Sequence, residues 1–403
     1  MYICNQKAEL HNMMIPRTLQ AHLKKMLEKF PIVSVTGPRQ AGKTTLLRET
    51  FPDYTYYNLE RLDHRELLKA DPLGFLRQAG DKVIFDEAQR VPELFPYIQV
   101  LSDETGKTGQ YILSGSQSFL LNERISQSLA GRVSVQNLFP FTMNELKNSG
   151  DSSVASLILN GFYPRLYDKH ILAEDYYPSY LQTYIERDVR TLRSIENLNT
   201  FTRFLGLCAG RVGQVLNITS LANDSGVVVN TAKSWLSLLE ASYIIFLLQP
   251  YHRNFNKRMI KSPKLYFYDT GVVSSLLRIT NTETLRTHYA FGSLFENLVI
   301  SDLIKHQSHR GMRPSHYYWR DSNGVEVDCI IDLGNNEVLA LEIKAGETFN
   351  PDYLKNLRKL KSSKELKIKK ALLYLGDTSS EISDISLVSW KDYHLRIVDM
   401  ATQ

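Results

Sequence analysis

The chain has little cysteine: Cys4, Cys208 and Cys329 are the only three in 403 residues. Such scattered positions give neither a zinc-ligand spacing nor a disulfide framework, so a reducing, cytoplasmic setting is expected. No stretch offers the roughly 20 successive apolar residues that a membrane helix needs. The segment from Met1 to His11 lacks the apolar core of a signal peptide, and Met13 or Met14 could equally be the natural start. Charge of one sign is not in great excess either. A net charge of +5 permits nucleic-acid binding without arguing for it unless the basic residues cluster. There is no internal repeat and no low-complexity tract. What is present is an ordinary folded composition, 43% hydrophobic and 23% charged, in a chain too long for one core, so two to four domains are expected.

One stretch organises the rest. Gly37-Pro-Arg-Gln-Ala-Gly-Lys-Thr44 has a glycine, four residues, then Gly-Lys-Thr. A β-branched run, Pro31 to Thr36, precedes it, and Thr45 to Glu49 can open a helix. A strand, a glycine turn and a helix N-terminus make a phosphate cradle, because turn amides and the helix dipole both favour anionic oxygens. Gly37 and Gly42 are needed where a Cβ would block the turn or the phosphate. In this pattern Lys43 reaches the β- and γ-phosphates of ATP and the Thr44 hydroxyl ligates Mg²⁺.

Further acids follow at the expected distance. Asp81 to Glu87 reads as a strand ending in two carboxylates, Asp86 to hold Mg²⁺ and Glu87 to act as general base on water. Gln110 to Ser116 reads as another buried strand. Ligands of open parallel sheets sit at the strands' carboxyl ends, which puts Ser114 or Ser116 in place to sense the γ-phosphate or orient water. Arg132, after a glycine, is a candidate arginine finger, in cis or from a neighbouring subunit; a plain exposed arginine is the competing reading. Gln136 to Thr142 is expected to be the sheet's last strand, and 148–153 a domain edge. Upstream, Ile15, Leu19, Leu23, Leu27 and Phe30 mark an amphipathic helix, with Arg17 expected in solvent more than at the nucleotide.

The middle of the chain reads as helical. Tyr176, Tyr177, Tyr180 and Tyr184 form a stripe of the kind that fills a core or interface, while Arg187 and Arg190 could alternatively face the nucleotide from a lid. Asn217 to Ala222 and Val229 to Glu240 are two helices separated by a glycine turn. The strands from Ser242 to Leu248 and from Lys264 to Tyr268 then flank a segment with Arg253, Lys257, Arg258, Lys261 and Lys264 and no acid. Helix, turn, helix and ribbon describe a winged helix whose basic wing lies on DNA phosphates. A module used only for packing or protein contacts is the alternative.

A second constellation lies near the end. Glu296 sits on a helix (Phe291 to Ile300), Asp328 on a strand, and Glu342 with Lys344 on the next strand, two apart and so on one face. Carboxylates on Mg²⁺ with a lysine supporting the attacking water suit a hydrolytic site on DNA; exposed charges on an edge sheet are the plain alternative. Lys355, Arg358, Lys359, Lys361, Lys364, Lys367, Lys369 and Lys370 read most simply as a solvated helix and loop.

With these residues together, the chain resembles prokaryotic AAA+-like ATPases that carry a winged-helix middle and a C-terminal domain of unknown function related to PD-(D/E)xK nucleases. The resemblance rests on Gly37–Thr44, Asp86-Glu87, Leu113–Ser116, Glu326–Asp328 and Glu342–Lys344. It implies ATP and Mg²⁺ as cofactors and a role on DNA, and it adds Pro38, Arg39, Gln40, Ala41 and Thr45 to the nucleotide-contacting run. The expected fold class is α/β: a P-loop NTPase parallel sheet with helices on both faces, then a winged-helix module, then an α/β restriction-endonuclease-like domain. Expected divisions are 1–150 for the ATPase, 151–199 for a helical lid, 200–280 for the winged helix and 281–403 for the nuclease-like part. Two functions stay open. One is an ATP-dependent protein acting on DNA, with Glu296, Asp328, Glu342 and Lys344 as a nuclease site. The other is a nucleotide-gated switch that binds a protein partner and whose C-terminal site is inert. A homo-oligomer is compatible with either, and no membrane is expected.

Overall fold

In the computed structural model, residues 15–116, 121, 125, 128–147, 153–185, 197–251, 262–321 and 324–402 are described. The β-branched run before the cradle forms strand β1 (Ile32–Thr36), and every one of its residues is buried. That is the pattern of a central strand covered on both faces. Helix α1 (Leu19–Leu27) precedes it, burying Leu19, Leu23 and Leu27. After the cradle come α2 (Lys43–Thr50), β2 (Thr55–Asn58), α3 (Leu62–Ala70), α4 (Pro72–Ala79), β3 (Val83–Asp86), α5 (Leu94–Thr105), β4 (Tyr111–Gly115) and β5 (Val133–Asn137). The five strands pair in parallel in the order β2-β3-β4-β1-β5, the sheet of a P-loop NTPase.

The last strand begins earlier than the sequence suggests. Residues 138–142 leave the sheet because Pro140 has no amide to donate to a ladder. The apolar side chains of Phe139 and Phe141 turn inward to the core instead.

The middle is helical: α6 (Val154–Asn160), α7 (Pro164–Asp168), α8 (Ala173–Tyr184), α9 (Leu198–Ala209), α10 (Ile218–Ser225) and α11 (Val229–Ala241). The tyrosine stripe on α8 is buried in the core, as its spacing suggests. Asn217 caps α10 by accepting from Ser220 N at 3.0 Å, and Gly226 ends it with φ 75°, a left-handed turn that favours glycine. An antiparallel ribbon follows, β6 (Ile245–Leu248) with β7 (Lys264–Phe267). The wing residues Arg253, Lys257, Arg258 and Lys261, and the lid candidates Arg187 and Arg190, lie outside the described residues.

After α12 (Thr270–Leu276) and α13 (Thr282–Thr287) comes α14 (Phe291–His309). Residues 297–309 of α14 are buried on every side, charged ones included. The C-terminal sheet holds β8 (His316–Arg320), β9 (Glu326–Gly334), β10 (Glu337–Lys344), β11 (Lys367–Tyr374), β12 (Ser380–Ile382) and β13 (Ile385–Ser389), with α15 (Lys355–Lys359) between β10 and β11. Its order is β12-β13-β11-β10-β9-β8, mixed parallel and antiparallel. The basic segment expected to be a solvated helix and loop therefore ends in a strand. Lys367 and Lys369 pair with Glu337, and Lys370 is buried against Asp384. One apolar core runs from Phe141 to Ala401 and joins the middle to the C-terminal part. No described helix is long and apolar enough to cross a membrane.

Candidate functional site

The cradle closes as its spacing requires. Gly37 has φ 148°, and a Cβ there would lie 2.0 Å from Leu138 O, so only glycine fits under the end of β5. Gly42 (φ 91°) and Gln40 (φ 61°) supply the left-handed steps that turn the loop into α2. Lys43 is buried and folded over the loop, its Nζ donating to Gly37 O at 2.9 Å and Pro38 O at 2.8 Å. Of the other cradle residues, Ala41 is buried, Arg39 half-buried and Thr45 exposed.

The acid that ends β3, Asp86, and the one after it, Glu87, face the cradle. Thr44 Oγ1 donates to Asp86 Oδ2 at 2.7 Å. Asp86 also accepts from Tyr56 OH at 2.7 Å and from Ser114 Oγ. Burial first, and the Asp86 charge next, push the Tyr56 phenol up, so it stays a donor. Glu87 takes the left-handed conformation with φ 57°, uncommon for a side chain this large. Its Oε2 accepts from Gln89 Nε2 at 2.6 Å and Ser116 Oγ at 3.1 Å. Lys43, Thr44, Asp86, Glu87 and Ser116 thus meet at the carboxyl ends of β1, β3 and β4.

Two arginines stand elsewhere than the sequence suggests. Arg17 is not solvated: it is 8% exposed, donates to Ala41 O at 2.8 Å and Phe139 O at 2.6 Å, and lies 3.4 Å from Glu145. It braces the cradle from behind. Arg132 precedes β5, at the opposite end of the sheet from the cradle, about 16 Å away for a five-residue strand. There it forms a two-pronged pair with Asp103, at 2.6 and 2.9 Å. That placement takes it away from its own cradle and agrees with the competing reading of a plain surface arginine, here paired with Asp103.

Three tyrosines around the cradle are not legible in the sequence, because their partners are far away in the chain. Besides Tyr56, Tyr176 on α8 donates to Gln40 Oε1 at 2.8 Å. Tyr243 reaches Asn137 Oδ1 at 2.9 Å and Thr36 Oγ1 at 3.0 Å.

The C-terminal constellation also comes together, with an addition. Lys344 Nζ lies 2.7 Å from Glu342 Oε1 and 3.3 Å from Asp328 Oδ2. Lys264, expected on the exposed wing, is 2% exposed and lies 2.6 Å from Glu326 and 3.2 Å from Glu296. Tyr266 OH also donates to Glu296. Burial alone would lower the Lys264 pKa, but Glu296, Asp328 and Glu326 outweigh it and hold the ammonium above its usual range. Burial pushes Glu296 up to about 7 and Glu342 up to about 8, with Asp328 adding to both rises and the lysines offsetting them. Among the described residues, no three His, Cys, Asp or Glu side chains gather to hold a metal. Lys344 stands where the hydrolytic reading needs its lysine; the addition is a second ammonium, Lys264, which takes up Glu296 and Glu326.

Comparison with known proteins divides the chain in three. A family model described as an AAA domain matches residues 29–147. Domains of unknown function match 151–283 (DUF8612) and 291–393 (DUF4143). Among curated proteins, Uncharacterized protein Mb2031c of Mycobacterium bovis and Uncharacterized protein Rv2008c of Mycobacterium tuberculosis are each 31% identical over 373 residues, covering 91% of this chain and 82% of theirs. Uncharacterized protein MJ1637 of Methanocaldococcus jannaschii is 24% identical, covering 92% and 86%. Among solved structures, a Walker-type ATPase of Pyrococcus abyssi overlaps 65% of this chain and 95% of its own, at 16% identity and a TM-score of 0.45.

Proposed function

The chain belongs to the family of the mycobacterial proteins Mb2031c and Rv2008c and is an ATP-binding ATPase of the AAA type; on that premise we propose that it hydrolyses ATP through Lys43, Thr44, Asp86, Glu87 and Ser116, and that the nucleotide governs its action on DNA. One contact carries the hydrolytic half: Thr44 Oγ1 and Asp86 Oδ2 lie 2.7 Å apart, one residue from Glu87. A hydroxyl and a carboxylate are a hard-oxygen donor pair, so the cradle fits Mg²⁺. The ion would neutralise charge building up on the phosphates. Lys43 exchanges its two loop carbonyls for phosphate oxygens. Glu87 takes the proton of the attacking water, and Ser116 and Gln89 aim its carboxylate.

The DNA half rests on α10, the turn at Gly226, α11 and the ribbon after it. Asn230, Lys233 and Ser237 on α11 are exposed, small or basic, and suited to a groove. The basic run Arg253, Lys257, Arg258 and Lys261 suits phosphates.

ATP turnover with and without duplex DNA tests both halves. Lys43→Ala should lose nucleotide binding. Glu87→Gln should keep it and slow turnover by about 100-fold or more. Duplex DNA should raise wild-type turnover, less so at high salt. A protein with no affinity for ATP, with or without magnesium, would overturn the proposal. Turnover indifferent to DNA at every salt concentration would remove its DNA half.

At the C-terminal site one part of the second reading is the better supported: a nuclease-like site that is inert and does not cut DNA. Lys264, buried between Glu296 and Glu326, favours it. A plasmid-nicking assay separates the two readings.

A further inference from the structure

Between α11 and β6 the chain passes through Tyr243 at φ 57°. Tyr243 follows the end of α11: its N–H donates to Glu240 O at 3.0 Å, and Ile244 N–H to Leu239 O at 3.0 Å. Glycine usually takes this left-handed position after a helix, because a Cβ there crowds the backbone. A bulky residue persists in such a conformation when contacts elsewhere hold it.

Those contacts are at the root of the cradle. The Tyr243 hydroxyl and the Thr36 hydroxyl both meet Asn137 Oδ1, at 2.9 and 2.7 Å, and lie 3.0 Å from each other. Thr36 is the residue directly before Gly37, and Asn137 pairs with it across the sheet. Gly37 in turn lies tight under Leu138. The Tyr243 ring packs edge-on to Phe139 at 5.5 Å. Phe139 O accepts from Arg17, which also holds Ala41 O of the cradle. Tyr243 therefore touches the cradle's frame twice, through its hydroxyl on Thr36 and Asn137 and through its ring on Phe139. Its backbone closes α11.

We infer that Tyr243 is a positioning residue that carries the loading of the cradle to α11. A shift of Gly37 on nucleotide binding moves Thr36 and Leu138, hence the hydroxyl cluster, hence the end of the helix. The inference rests on ATP binding at the cradle and does not need α11 to meet DNA.

Hydrogen exchange read by peptide mass spectrometry tests it on the full chain, with and without ATP and Mg²⁺. In wild type, ATP should slow exchange in the cradle peptide, 37–50, and in the helix peptide, 229–241, the latter by about fivefold or more. In Tyr243→Phe, which loses the hydroxyl and keeps the ring on Phe139, the cradle should still respond and the helix should respond less than in wild type. Tyr243→Gly, which removes the hydroxyl and the ring together, should abolish the helix response while the cradle still responds. A helix response in Tyr243→Phe equal to wild type would overturn the inference. So would a wild-type cradle that responds while α11 does not. No response at 37–50 in wild type would instead sink the ATP reading beneath it.

Discussion

His316 stands at the start of β8 with both ring nitrogens buried and unpartnered among the described residues. Burial pushes its pKa down to about 3, against an ordinary value of 6.5. The unfolded chain therefore binds a proton that the folded chain refuses at any pH between those values. The stability this neutral ring allows is complete above about pH 6.5 and drains away as pH falls. From about pH 7.5 to about pH 5 this one group should cost about 2 kcal/mol. His306 and His309, also lowered chiefly by burial, add in the same direction. Urea unfolding at the two pH values should show the loss, and His316→Phe should reduce it. An equal acid shift in both proteins would count against this assignment. The same scale shows what a sequence discloses. Lys43, Thr44, Asp86 and Glu87 are legible because each sits beside its own structural cue, a glycine turn or a strand end. Tyr56, Tyr243 and Arg17 are not, because each acts on a partner brought near only by folding; Tyr243 is more than 200 residues from Thr36. Lys264 was read with its basic neighbours, yet its carboxylate partners place it in the interior.

At the scale of elements, the parallel strands and the helices between them follow from short β-branched runs alternating with polar helical ones. Helix α14 was legible only to Ile300. Periodicity marks a helix with one wet face, and α14 has none over 297–309. Its polar groups are satisfied from elsewhere. Asp302 accepts from Met143 N at 2.7 Å, Lys305 donates to Phe141 O at 2.9 Å and lies over the Phe162 ring, and His309 Nε2 accepts from Phe139 N at 3.0 Å. All four of these partner residues, Phe139, Phe141, Met143 and Phe162, precede residue 163. A fragment of residues 291–403, which contains the segment 291–393 matched as one domain of unknown function, would lose these partners and the apolar cover of α14. Each orphaned group costs about 1–3 kcal/mol, against a total stability of about 5–15 kcal/mol for a domain. The fragment made alone should show no cooperative thermal transition by circular dichroism. A sharp melt with native-like side-chain dispersion would refute that dependence.

For the whole molecule, family matches break near 150 and 290, but the packing does not, since one core spans Phe141 to Ala401. Lys264 makes the same point chemically: β7, from the middle of the chain, puts its ammonium between Glu296 of α14 and Glu326 of β9. A divalent ion approaching those carboxylates meets a resident cation that three acids keep charged despite its burial. Removing one partner of a buried pair typically costs about 3–5 kcal/mol, so the Lys264 ammonium does not leave its carboxylates by fluctuation alone. The full chain with Mg²⁺ and ATP should therefore leave supercoiled plasmid intact over hours. Wild type and Lys344→Ala should be indistinguishable in that assay. Nicking by wild type that Lys344→Ala abolishes would restore the nuclease reading, and would mean that the ribbon carrying Lys264 moves away from the site when the molecule works.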